Sequence, residues 1–158
     1  MRNILTPSRP AGSALLLVAR VVLGLILVAH GWQKFTEWTL AGTGQAFAGM
    51  GVPLPEVSAV VAAVVELLGG VLLIAGAFTS VVGIIVALEM VGAAVLVHIT
   101  NGVFIDKNGW ELVGAIAAAA LALAVAGAGK WSVDGLLFKR FGRNDATPAR
   151  ERELVDAR

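Results

Sequence analysis

The stretch SALLLVARVVLGLILVAHGWQKF, residues 13–35, decides the fold. As a helix rising ~1.5 Å per residue it is long enough to cross the ~30 Å of a bilayer's hydrocarbon. Its apolar part is too long for the h-region of a secretory signal, Arg20 interrupts it, and AHG before the bulky Trp32 is a poor cleavage site, so it reads as a retained span. Three similar segments follow, at residues 55–78, 81–99 and 110–128. The Gly/Pro-marked GMGVPLP (49–55) precedes the second, and only Thr79-Ser80 separates the second from the third, which implies a tight helical hairpin. The loop TNGVFIDKNG (100–109) leads into the fourth. The expected fold class is all-α, a polytopic membrane four-helix bundle. Residues 1–12 read as an N-terminal leader, 13–135 as the membrane domain, and 136–158 as a polar, solvated tail.

Composition agrees with a membrane protein. Of 158 residues, 58% are hydrophobic and 15% charged, with a mean hydropathy of +0.85. A soluble domain of this size cannot hide so much apolar surface. The bases gather outside the spans: Arg2 and Arg9 before the first, Lys130, Lys139, Arg140, Arg143, Arg150, Arg152 and Arg158 after the last. The positive-inside rule then places both termini in the cytoplasm, and four spans give the matching parity. Trp32, Trp38, Trp110 and Trp131 fall near span ends, where an interfacial aromatic belt belongs. Absence of cysteine excludes disulfides, thiolate metal sites and a CxxC redox pair within the chain. No basic patch is joined to a soluble module, which argues against nucleic-acid binding. No Gly-rich loop lies between a strand and a helix, so dinucleotide or phosphate binding has no support.

Seven ionisable side chains, Arg20, His30, Lys34, Glu66, Glu89, His98 and Glu111, lie inside or at the ends of these spans. A charge in lipid costs roughly 2.5–3.5 kcal/mol on insertion scales, so these groups should face one another or a polar cavity. Helical rise puts Arg20 ~10 Å, Glu89 ~12 Å and Glu66 ~16 Å above the inner ends of their spans, one layer near the midplane. Glu66 shares a face with Ala59, Ala62, Ala63, Gly69 and Gly70, and Arg20 with Gly24 and Gly31, small residues that let backbones approach. The expectation is an intramembrane ion pair of Arg20 with Glu66 or Glu89. Two acids against one arginine leave a surplus carboxyl that must be protonated, meet water, or bind a cation or ligand.

A second polar layer is expected near the outer leaflet, from His30, Gln33 and Lys34 on the first span, His98 and Asn101 at the end of the third, and Glu111 opening the fourth. Imidazole, ammonium and carboxylate groups at converging helix ends can hydrogen-bond a quinone carbonyl or move protons to it. His30, Lys34, His98 and Glu111 are thus the catalytic candidates. The bland alternative is a set of interfacial residues that snorkel and cap helices. Glu89 and His98, nine residues apart, should face opposite sides of a regular helix and not share a site. Bis-histidine haem b would rest on His30 and His98 alone, which is thin support. A metal held by His30, His98 and Glu111 would suit zinc or non-haem iron, yet the chain lacks the tight HxxE or HExxH spacing, so no metal site is assigned.

RVVLGLILVAHGWQKF (20–35), GMGVPLP (49–55), VVELLGGVLLIAGAFTSVVG (64–83), MVGAAVLVHITNGVF (90–104) and GWELVGAIAAAALALAVAGAGKWSVDG (109–135) together resemble the DoxX family of small bacterial four-helix membrane proteins. By position, the family-like polar residues are Arg20, His30, Gly31, Gln33, Lys34, Glu66, His98, Asn101, Gly102, Glu111 and Asp134, while Glu89 lies outside the pattern. The resemblance implies a multi-pass protein of the bacterial plasma membrane. The related DoxD subunit looks like part of a thiosulfate:quinone oxidoreductase, and mycobacterial-type DoxX proteins are associated with a superoxide dismutase and a sulfurtransferase. The implied function is a membrane subunit of a redox system concerned with thiol, sulfur or oxidative stress, its polar core binding quinone, the candidate cofactor, or relaying protons, with those two soluble enzyme types as candidate partners. Two other readings stand beside it: a scaffold that anchors soluble enzymes, and a small proton, cation or solute conduit. The Gly/Ala faces would serve a homo-oligomer as well as internal packing.

Overall fold

A computed structural model describes residues 9–141. Helix α1 spans Arg9–Thr36, α2 Thr39–Gly49, α3 Pro55–Ala75, α4 Thr79–Ala93, α5 Glu111–Ala126 and α6 Val133–Phe141, with no strand among the described residues. The protein is a helical membrane bundle, as hydropathy predicts. Stretches 11–36, 55–75 and 79–101 are long and apolar enough to cross a membrane. The fourth, α5, has 16 residues and is shorter, ~24 Å by its rise. The expected leader and tail largely fall outside the described residues, and α6 runs through the expected domain boundary at 135.

Two antiparallel pairs, α1 with α3 and α4 with α5, build the bundle, and α3 packs on α4 to join them. Small residues set the spacing within each pair. A Cβ at Gly24 would lie 2.6 Å from the Gly70 carbonyl oxygen, one at Gly31 would lie 2.5 Å from the Leu67 nitrogen, and one at Gly83 would lie 2.6 Å from the Ala120 carbonyl oxygen. Backbone thus meets backbone along α1–α3, as the Gly/Ala faces predict. Leu23, Leu27, Leu73, Val86, Ala120 and Leu123 fill the centre. Leu15, Val18, Val22 and Leu25, at helical spacing on the opposite side of α1, are more than half exposed and form a lipid-facing stripe.

Two local features depart from the expected pattern. The segment between the first two spans is a helix, α2, which packs on α3 with Gly44 seated over Glu56. The third span does not stay regular either: α4 passes into a π turn at Ala94–His98 and a 3-10 turn at Ile99–Asn101. The opposite-face expectation for Glu89 and His98 assumed 3.6 residues per turn throughout, and the wider π turn removes that premise.

Candidate functional site

At the end of the bundle where α3 stops and α4 starts, here the base, α3 terminates in Gly76 at φ +68°. A side chain there would be strained, and its Cβ would meet Ser132 at 2.5 Å and the Arg20 guanidinium at 2.6 Å. Arg20, 2% exposed, fills this corner. Its Nη1 donates to the carbonyls of Leu73, at 3.1 Å, and Ile74, and its Nη2 donates to the Trp131 carbonyl. The guanidinium therefore caps the negative end of the α3 dipole and ties down the segment after α5.

The expected pairing of Arg20 with Glu66 or Glu89 is corrected by this arrangement. Gly24 lies against Gly70 and Ile74, a register that brings Arg20 to the C-terminus of α3. Glu66 stands eight residues, ~12 Å, further up that helix. Arg20 belongs to the base, and the carboxylates to a layer above it.

Glu66 pairs instead with Lys34. Lys34 Nζ donates to Glu66 Oε2 at 2.6 Å, and the two residues are only 7% and 6% exposed. The same ammonium stands 5.8 Å from the centroid of the Trp38 ring, so an indole face covers it on a second side. Lys34 lies one turn beyond Gly31 on the face of α1 that touches α3. That spacing, read with Gly24 and Gly31 as the α3-facing stripe, was the available signal for the pair.

Glu89 completes the layer from α4. Its carboxylate lies within Coulombic reach of both Glu66 and Lys34. Its Oε2 is buried without a hydrogen-bond partner. The surplus carboxyl expected from composition is therefore present, with lysine in place of arginine as the single cation.

The remaining polar residues make local hydrogen bonds. His30 Nδ1 donates to the Ile26 carbonyl at 2.9 Å, one turn back on its own helix. His98 Nδ1 donates to the Asn108 carbonyl at 2.9 Å, which Asn101 Nδ2 also reaches at 3.3 Å. A carbonyl only accepts, so Nδ1 carries the hydrogen in each of these two bonds. Glu111 Oε1 accepts the Ile105 N–H at 2.6 Å, closing the loop between α4 and α5. Gln33 is exposed to its neighbour Glu37, to which it donates at 3.0 Å. The expected second polar layer is thus divided: Lys34 turns inward to Glu66, whereas His98, Asn101 and Glu111 bond within the loop. Among the described residues, no three His, Asp or Glu side chains converge as a metal site requires.

The DoxX family model matches residues 15–99. Over 83 residues, 52% of this chain and 59% of the relative, the sequence is 41% identical to the "Putative oxidoreductase CatD" of Bacillus subtilis, so it spans little more than half of that protein. It is 33% identical to the "Inner membrane protein YphA" of Escherichia coli over 78% of this chain and 91% of the relative. A membrane protein of Mycobacterium tuberculosis is 30% identical over 77% of this chain and 80% of the relative. No solved structure matches the chain.

Proposed function

The chain belongs to the DoxX family of membrane proteins, and from that membership we propose that it is the membrane subunit of a bacterial redox system acting on quinone. The observation that carries this reading is the buried Lys34–Glu66 pair with the unpartnered Glu89 beside it. Apolar side chains of similar volume would pack a bundle at least as well as a buried ion pair, so a layer holding three ionisable groups points to use beyond packing. A quinone needs hydrogen-bond donors at its carbonyl oxygens and a source of protons when it accepts electrons. Lys34 and Glu89 have those chemistries, and His30 lies one turn below Lys34 on α1 with its Nδ1 on the Ile26 carbonyl.

This chain has no thiol, so electrons from sulfur compounds would come from a partner. Soluble enzymes of the superoxide dismutase and sulfurtransferase types are the proposed partners. The positive-inside rule assigns the base, with Lys130 and Arg140, to the cytoplasm where such enzymes could dock. The name of the Bacillus subtilis relative, "Putative oxidoreductase CatD", supports the redox class.

The test is titration of the protein, purified in mild detergent, with a short-chain ubiquinone and a short-chain menaquinone. Saturable binding of one of them is expected, weakened at least about tenfold by Lys34→Met, a loss of ~1.4 kcal/mol. The double variant Lys34→Met, Glu66→Leu controls for folding. No saturable binding to the wild type, or equal binding to the double variant, sinks the quinone reading.

A further inference from the structure

We propose that Glu89 is a proton-binding site of the bundle, holding one exchangeable proton against the Lys34–Glu66 pair. Glu66 and Lys34 are the charged groups within reach of Glu89, and α3 and α5 are the helices packed against α4. From α3 comes Glu66, a like charge, and from α1 comes Lys34, already engaged by Glu66 at 2.6 Å. Helix α5 carries no ionisable residue between Glu111 and Ala126. Beyond α4 the next ionisable residue is His98, at the end of the π turn, whose Nδ1 is committed to the Asn108 carbonyl. Arg20 stands at the base, where its guanidinium is bound to carbonyls of Leu73, Ile74 and Trp131.

Charge counting then decides what the layer lacks. One ammonium and two carboxylates sum to a formal net charge of minus one, with Lys34 and Glu66 buried and Glu89 Oε2 shut off from solvent. Such a charge, left without a counterion in the hydrocarbon zone, carries the cost that keeps ionisable groups rare there. A metal cation would need several oxygen ligands, and no such group converges among the described residues. A proton needs only one oxygen. Glu89 Oε2, buried and without a partner, is the vacant one, whereas Glu66 already spends its Oε2 on Lys34. Uptake forms one O–H bond on the carboxylate as a hydronium ion gives up its proton and becomes water, and it leaves an O–H free to donate. The site shares its layer with the quinone reading, but its test uses no quinone, so either can fail alone.

Infrared spectroscopy of the full chain in lipid vesicles at neutral pH tests the inference. A carboxylic-acid C=O band is expected that shifts down in D2O and disappears in Glu89→Gln. The same band should persist in Asp106→Asn, an exposed acid on the outer loop. Absence of the band in the wild type overturns the proposal. Persistence in Glu89→Gln with loss in Glu66→Gln also overturns it, by placing the proton on the other acid, and a band insensitive to D2O shows that the proton does not exchange. Thermal unfolding in detergent guards against misfolding: Glu89→Gln, which keeps the shape and the neutrality of the protonated carboxyl, should melt no lower than wild type. A drop of several degrees would mean that Glu89 serves as a charged structural partner, contrary to the proposal.

Discussion

Asp134 caps the N-terminus of α4 from the far end of the membrane domain: its Oδ1 accepts the Phe78 N–H at 2.8 Å and its Oδ2 the Thr79 N–H at 3.0 Å. In return the Asp134 N–H donates to the Gly76 carbonyl at 3.0 Å. A carboxylate facing the positive end of a helix dipole is stabilising, and here it also holds Phe78 at φ +52°, a conformation that a bulky residue adopts only under constraint. Asp134→Ala should therefore cost ~1–2 kcal/mol, typical of a lost N-cap. Phe78→Gly should offset part of the loss by relieving the left-handed residue. Thermal melts of the two single variants and the double, followed by helical circular dichroism in detergent, check both.

Arg20 should be among the least replaceable side chains of the bundle. Arg20→Met leaves three carbonyls without their donor, at ~1–3 kcal/mol for each that stays buried. Arg20→Lys should recover little, because one ammonium cannot reproduce the planar fork that reaches Leu73, Ile74 and Trp131 together. A double-mutant cycle of Arg20→Met with Glu66→Gln, read by denaturant titration, should give a coupling below ~0.5 kcal/mol, as for separated sites. Strong coupling would restore the direct pairing that helix depth alone had suggested.

Lys34 and Glu66 should behave in the opposite way. Removing either partner strands a buried charge, so Lys34→Met and Glu66→Leu should each cost ~3–5 kcal/mol. Together they replace the pair with apolar volume, and the double variant should return close to wild-type stability or exceed it. Additive losses in the same titration would show that the ammonium and carboxylate are not each other's main partners.

Much of this architecture is legible in the chain because a bilayer simplifies the reading. Apolar runs of span length can hardly be anything else, and the glycines at 24, 31, 69 and 70 mark the faces that touch or come closest. What could not be read is the vertical register of one helix against another. An error of three residues in where α1 or α3 begins moves a side chain by ~4.5 Å along the axis, and helix ends are uncertain by one or two residues at each terminus. That is enough to exchange one partner layer for another, and it is why Glu66 was matched with Arg20 when its actual partner is Lys34. Helix α2 was hidden by its glycines at 42, 44 and 49, which read as loop until Leu40 and Phe47 are placed seven residues apart on a helix. The π turn leaves no composition signal, since Ala94–His98 is as apolar as its surroundings.

The loop between the π turn and α5 gives the sharpest test of how His98 and Glu111 are used. Glu111 Oε1 accepts the Ile105 N–H, while the Glu111 and Trp110 N–H groups donate to the carbonyls of Val103, at 2.9 Å, and Gly102, at 3.1 Å. His98 and Asn101 converge on the Asn108 carbonyl, fixing the residue at φ +59° that turns the chain back toward α5. A hydrogen bond to a carboxylate contributes ~1.5–3 kcal/mol, so Glu111→Gln should speed amide exchange at Ile105 by about tenfold or more. His98→Ala should loosen Gly109 and Trp110 in the same assay. Neither change touches Lys34 or Glu66, so the global melt should move little and any quinone affinity should stay within about twofold of wild type. If instead His98→Ala leaves loop exchange unchanged and abolishes quinone binding, the imidazole is a ligand and its bond to Asn108 merely orients it.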